Sequence, residues 1–166
     1  MFPDEVFLMT DPARAGRDAS QGTGSGPTGG FAPLVPELDV SSIEASLAFW
    51  CGGLGFRIAY ERRQAKFAFL ERQGAQVMLC EINGNWQTAP LERPFGRGIN
   101  FQIATDDLDS TLQALRKMDW PPFEEPSESW YRIGDTEETG SREFLVQDPD
   151  GYLIRFSQSI GRRSIG

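Results

Sequence analysis

Apolar residues recur along this chain with two different periods. In "SSIEASLAFWCGGL", Ile43, Leu47, Trp50 and Leu54 fall three or four residues apart. In "DDLDSTLQALRKMDWPP", Leu108, Leu112, Leu115 and Met118 do the same. Each stripe predicts an amphipathic helix. Ser41, with Glu44 three residues on, is the expected cap of the first helix, and Asp106 that of the second. Gly52-Gly53 and Pro121-Pro122 are the expected stops.

Elsewhere the alternation has period two, the mark of strands. "LVPELDV" precedes the first helix, and "FRIAYER", "KFAFLER" and "AQVMLCEI" follow it. "INFQIAT" precedes the second, followed by a looser stretch around "SWYRIG", then "EFLVQ" and "YLIRFSQ". Ile43, Leu47 and Trp50 map onto Leu108, Leu112 and Leu115 by a constant shift of 65 residues. The order β-α-β-β-β therefore occurs twice, as in duplicated units. One such unit cannot bury both faces of its sheet, so the two should pack together. The predicted class is α+β: a single domain over residues 34–160, with repeats at about 34–86 and 98–160. Residues 1–33 contain "GRDASQGTGSGPTGG" and read as a flexible Gly/Ser-rich arm, and 161–166 as a tail.

Alternation also sorts the strand faces. Ile99, Phe101 and Ile103 oppose Asn100, Gln102 and Ala104, and Tyr152, Ile154 and Phe156 oppose Leu153, Arg155 and Ser157. One face takes the helix. The other is mixed, carrying Glu37, Gln76, Asn100, Gln102 and Arg155. It is either a solvated sheet face or, where two repeats curl together, a concave ligand wall. "DPDG" at 148–151 reads as a hairpin turn; it lacks the distal glutamate of a calcium loop.

Composition narrows the chemistry. There is no histidine, which excludes histidine acid–base catalysis and histidine metal ligation. Net charge is −8, which argues against nucleic acid and permits a cationic ligand. Cys51 and Cys80 lie in apolar runs, as buried reduced thiols of a cytoplasmic protein would. No apolar run approaches the ~20 residues of a membrane helix. "FPDEVFLMT" has no cationic start or apolar core of signal-peptide length.

The doubled repeat, "LDVSSIEASLAFWCGGLGFRIAYE", "INFQIATDDLDSTLQAL" and "REFLVQDPDGYLIRF" together resemble the vicinal oxygen chelate superfamily of glyoxalase I, extradiol dioxygenases and bleomycin resistance proteins. The match covers roughly 34–160 and is nearest to the bleomycin resistance branch, through Arg142-Glu143-Phe144 before the turn. The resemblance implies a U-shaped, mostly antiparallel sheet cleft with helices on its outer face. Superfamily metalloenzymes place a ligand on the first and last strand of each unit, positions that carry over to Val35, Met78, Asn100 and Arg155. Valine and arginine cannot ligate a divalent ion, and a shift of register would bring in only Glu81. The resemblance thus implies no metal, no cofactor and no catalytic residue. It points to a homodimer that sequesters a bleomycin-like or other cationic, aromatic ligand. Its site would comprise Glu37, Phe67, Asn100, Gln102, Trp130 and Arg155, with Trp86 and Tyr131 as further aromatics. The tryptophan usual before the Arg-Glu-Phe run is replaced here by Thr139-Gly140, which moves drug stacking to Trp130. Arg155 would either face the ligand or pair with Glu37 across the wall. The alternative is a lyase or dioxygenase with an atypical metal site.

Overall fold

The computed structural model describes residues 22–165. The order β-α-β-β-β appears twice, each time in its own sheet. Sheet 1 holds β1 (Thr23–Gly24), β2 (Glu37–Val40), β3 (Arg57–Arg62), β4 (Phe67–Arg72) and β5 (Ala75–Glu81), in the order β1-β3-β4-β5-β2. Sheet 2 holds β6 (Asn100–Ala104), β7 (Glu124–Arg132), β8 (Glu137–Gln147) and β9 (Leu153–Ser164), in the order β6-β9-β8-β7. Only β2 with β5 and β6 with β9 run parallel; every other pairing is antiparallel. β9 continues through Ser164, where a tail was expected from residue 161, because Glu137–Gly140 of β8 offer it a partner.

Both helices form where the apolar stripes lie, with caps one residue later than expected. α1 (Ile43–Leu47) is capped by Ser42, whose Oγ accepts from the Ala45 amide, and it widens into π-helical winding over Ala48–Gly53. Ser41 is not the cap: its Oγ accepts from Arg93 at 2.6 Å instead, and its amide donates to the Asp150 carboxylate. α2 (Leu108–Lys117) is capped by Asp107, which accepts from the Ser110 amide. Gly53 lies inside the helical winding. A Cβ there would stand 3.1 Å from Leu115 and 3.3 Å from the Met118 sulfur, so a side chain would push the two helices apart.

One core joins the units. It contains Leu38, Val40, Leu70 and Leu79 from sheet 1, Ile103, Phe144, Ile154 and Phe156 from sheet 2, and Phe49, Trp50, Leu108 and Leu115 from the helices. Polar groups fix the units to each other. Asp148 and Asp150, 3% and 1% exposed, both belong to the turn between β8 and β9. Asp148 accepts from Trp50 Nε1 at 3.3 Å and from the amides of Asp150 and Tyr152. Asp150 accepts from the Ser41 amide at 2.8 Å and from Arg93 at 2.7 Å. Gly151 in this turn has φ +94°, and a Cβ on it would lie 2.5 Å from Pro94. Arg72, at the end of β4, donates to the Leu54 carbonyl and, across the joint, to Thr105 and Thr111 at 3.2 and 2.9 Å. Its guanidinium lies 4.9 Å from the Phe156 ring centre.

The arm expected over residues 1–33 lies partly outside the described residues; its described part, 22–33, is strapped to sheet 1. The Thr28 amide donates to both Glu71 oxygens at 3.0 and 2.9 Å, and Glu71 also pairs with Arg57. Gln76 accepts from the Ala32 amide at 2.7 Å and donates to the Gly30 carbonyl at 2.8 Å. Phe31 meets the Phe69 ring edge-on at 5.4 Å. The glycine-rich backbone has no apolar period, yet the sheet's own Glu71 and Gln76 satisfy its polar groups.

Three substitutions test the joint. Asp150→Ala leaves the Ser41 amide without its charged acceptor and should lower unfolding free energy in urea by about 2–3 kcal/mol. Arg93→Ala leaves the buried Asp150 Oδ1 without this donor and should cost about 1–3 kcal/mol. Arg72→Lys keeps the charge but cannot serve three acceptors from one planar fork, and should cost about 1–3 kcal/mol in the same assay.

Candidate functional site

The face of each sheet turned away from the helices is a wall of distinct chemistry. On sheet 1, Tyr60 stacks on Phe69 at 5.1 Å and tilts towards Phe67 at 5.9 Å, with Ala59, Met78, Cys80 and Val35 packed around them. The Arg62 guanidinium lies 4.0 Å over the Phe67 ring, a planar cation held on an aromatic face. Glu37 and Asp39 share the outward side of β2 and, with Trp86, Leu91 and Tyr152, line a recess of about 200 Å³. Partial burial, the repulsion of Asp39 and, in opposition, the attraction of Arg62 together push the Glu37 carboxyl above the usual range. Burial likewise raises Asp39, against a hydrogen bond from Gln87. Tyr152 donates its hydroxyl to the Asp39 carbonyl at 3.1 Å, and burial together with the nearby aspartates pushes it up to about 12.

On sheet 2 the wall is polar. Arg155 donates to Gln102 Oε1 at 2.5 Å and lies 3.8 Å from the Glu143 carboxylate. Tyr131 donates its hydroxyl to Glu143 at 3.4 Å. With Ser141, Ser157 and their neighbours these residues line a recess of about 450 Å³.

The six expected site residues fall into three places. Gln102 and Arg155 are brought together as direct partners in the β6–β9 ladder. Asn100 stands on the same side of β6, exposed, opposite Leu153. Glu37 and Phe67 belong to the sheet 1 wall, and Phe67 is 4% exposed beneath Arg62. Trp130 pairs with Gly140 on β7, and a Cβ on Gly140 would lie 2.9 Å from its indole. Strand alternation points Trp130 away from the recess, with Arg163 stacked on it at 4.1 Å; its neighbour Tyr131 lines the recess instead. Arg155 therefore takes its partners from its own sheet, Gln102 and Glu143, and the expected pair with Glu37 does not form because Glu37 stands on the other sheet. Sequence reading missed Glu143, Ser141 and Asp39. Their alternation along β8 and β2 was the available signal, hidden for Ser141 by the register shift at Gly140/Ser141.

The ladders also revise the strand positions that correspond to metal ligands. Met78 pairs with Glu37, and Arg155 pairs with Gln102; Glu37 and Gln102 are themselves 65 residues apart. Glu37 and Gln102 are thus the first-strand residues directly beside Met78 and Arg155, while Asn100 pairs with Leu153. Glu37, Met78, Gln102 and Arg155 do not fit a divalent ion. Arg155 is a fixed cation held 2.5 Å from the Gln102 oxygen, so its charge stands where a metal would have to sit. Among the described residues no group of three or more Cys, Asp or Glu side chains is placed to hold a metal. No described helix is long and apolar enough to cross a membrane.

Comparisons with known proteins agree with this architecture. Residues 34–156 match the family model of the glyoxalase/bleomycin resistance protein/dioxygenase superfamily. A bleomycin resistance protein of Geobacillus stearothermophilus is 26% identical over 136 residues, spanning 76% of this chain and 96% of the relative. Among solved structures, TioX from Micromonospora sp. ML1 superimposes with a TM-score of 0.60 at 18% identity, over 78% of this chain and all of that one. A lactoylglutathione lyase from Agrobacterium tumefaciens gives 0.51 at 16% identity, over 80% of this chain and 95% of that one. With a family model matched across both units, the chain belongs to the glyoxalase/bleomycin resistance protein/dioxygenase superfamily.

Proposed function

We propose that this protein binds and sequesters a small molecule without transforming it, as a bleomycin-resistance-type homodimer in the cytoplasm. The observation that carries the reading is Arg155. By the family resemblance it stands where a metalloenzyme would carry a ligand, and its guanidinium lies against the Gln102 oxygen. With no histidine in the chain and a fixed cation at this place on β9, the reading gives the walls the work of affinity. The sheet 1 wall suits a cationic, aromatic ligand. Its stacked rings already hold the Arg62 guanidinium, and Glu37 and Asp39 offer two carboxylates beside them. Each wall is open on one side, and a second copy of the chain would provide the opposite wall. The mechanism is then mass action on free ligand, with Glu37 and Asp39 attracting the cation and Trp86 and the half-buried Tyr60 supplying aromatic surface.

Bleomycin is the first ligand to test. At about 100 times its dissociation constant it should stabilise the fold by about 2.7 kcal/mol in a thermal-shift experiment. No shift well above micromolar concentration removes bleomycin as the ligand. The pH dependence follows from the raised carboxyl pKa values. Acidification protonates Glu37 and Asp39, so affinity for a cationic ligand should begin to fall above the ordinary carboxylate range of about 4. Glu37→Gln with Asp39→Asn should weaken binding at neutral pH and abolish that dependence. Metal analysis should find no stoichiometric divalent ion in the purified protein, and light scattering should find a dimer. A bound stoichiometric metal would overturn the metal-free reading, and a strict monomer would overturn the shared cleft.

A further inference from the structure

We infer that the recess on sheet 2 is a binding site for an uncharged, hydroxyl-rich ring, a glycosyl group either free or within a glycoside. Its lining carries five hydroxyls, from Tyr131, Thr139, Ser141, Ser157 and Ser159, and no aliphatic side chain larger than Ala104. The volume of about 450 Å³ lies within the range of small-molecule sites. An apolar or aromatic occupant would bury the Thr139, Ser141 and Ser157 hydroxyls without partners, at a cost for each. A hydroxylated ring meets each with a donor or an acceptor.

Charge points the same way. Arg155 and Glu143 are 3.8 Å apart, so the two formal charges of the lining neutralise each other and select neither an anion nor a cation. Two atoms are already short of a partner. Four buried side-chain polar atoms lack a hydrogen bond among the described residues, and two of them, Ser141 Oγ and Arg155 Nε, belong to this one recess. Orphans that gather at one place call for a ligand that completes them. One is a hydroxyl, able to donate or accept, and the other a guanidinium N–H, which can only donate; adjacent hydroxyls of a sugar serve both. Tyr131, 48% exposed, adds an aromatic face against which the ring's C–H side can rest. The chemistry differs from that of the sheet 1 wall, where rings and carboxylates dominate. The inference rests on the binding reading only in assigning that ligand a polar half; the recess itself is tested with simple sugars.

The experiment titrates the isotopically labelled full chain with methyl α-glucoside, methyl α-mannoside and methyl α-galactoside, using cyclohexanol as a ring of similar size with a single hydroxyl. At least one glycoside should give saturable amide shifts at millimolar concentration, confined to Thr139–Glu143 and Arg155–Ser159. Ser141→Ala removes an oxygen that bonds to nothing in the fold, and Thr139→Val preserves shape; each should weaken that glycoside about fivefold. The inference is overturned by no saturable shift up to about 50 mM, by cyclohexanol producing the same shifts, or by unchanged affinity in both variants. A glycoside that binds while bleomycin gives no thermal shift upholds this site and removes bleomycin; the reverse upholds bleomycin and removes the site.

Discussion

Two buried carboxylates in one turn hold this architecture together. Asp148 and Asp150 are almost wholly out of water, and a buried carboxylate is tolerated only when its oxygens are bonded. Their donors come from the other unit as well as from their own turn: the Trp50 indole, the Ser41 amide and Arg93. Burial pushes the Asp148 carboxyl up, and the donors around it pull the other way. Because β8 and β9 grow directly from this turn, sheet 2 takes its position relative to the first helix from these bonds. The turn looked like punctuation between two strands; in three dimensions it is the joint on which both walls are hung.

The fold was largely legible in the sequence because its signals are periodic. Both helices, seven of the eight long strands and the duplication follow from spacing alone; β7 reads in the sequence only as a looser stretch around "SWYRIG". What spacing does not fix is a choice between neighbours of like chemistry. Ser41 and Ser42 are equally good caps, as are Asp106 and Asp107, and in the first pair Arg93 takes the Ser41 Oγ, leaving Ser42 to cap. The site suffered more. An offset of 65 residues relates Val35 to Asn100 and equally Glu37 to Gln102, so the repeat cannot say which pair stands beside the last strands. The hydrogen-bond ladder says so. A single step along β7 exchanges Trp130 for Tyr131 and sends the larger ring to the opposite face, which shows how sharply a two-residue period punishes a slip.

The repeats have kept their order and diverged in surface. The inward residues remain apolar in both units because they share one core. Outward residues are under no such constraint. Unit one has filled its outer face with rings and flanked them with carboxylates; unit two has filled its own with hydroxyls around a balanced Arg155–Glu143 pair. Duplication thus furnishes two surface chemistries on one scaffold, each backed by a helix that fixes its strands.

The strap over sheet 1 has an effect at the rim as well as on the wall. β3 spans six residues at the outer side of its sheet, and a bare strand of that length offers a row of free amides and carbonyls on which another chain can grow. β1 pairs with Tyr60 and Glu61 in the middle of that row. It leaves no more than three consecutive free residues, Arg57 to Ala59, next to an irregularity in the β3–β4 ladder. Two residues of strand, seated where Gly24 alone has room, break up a continuous template for intermolecular growth.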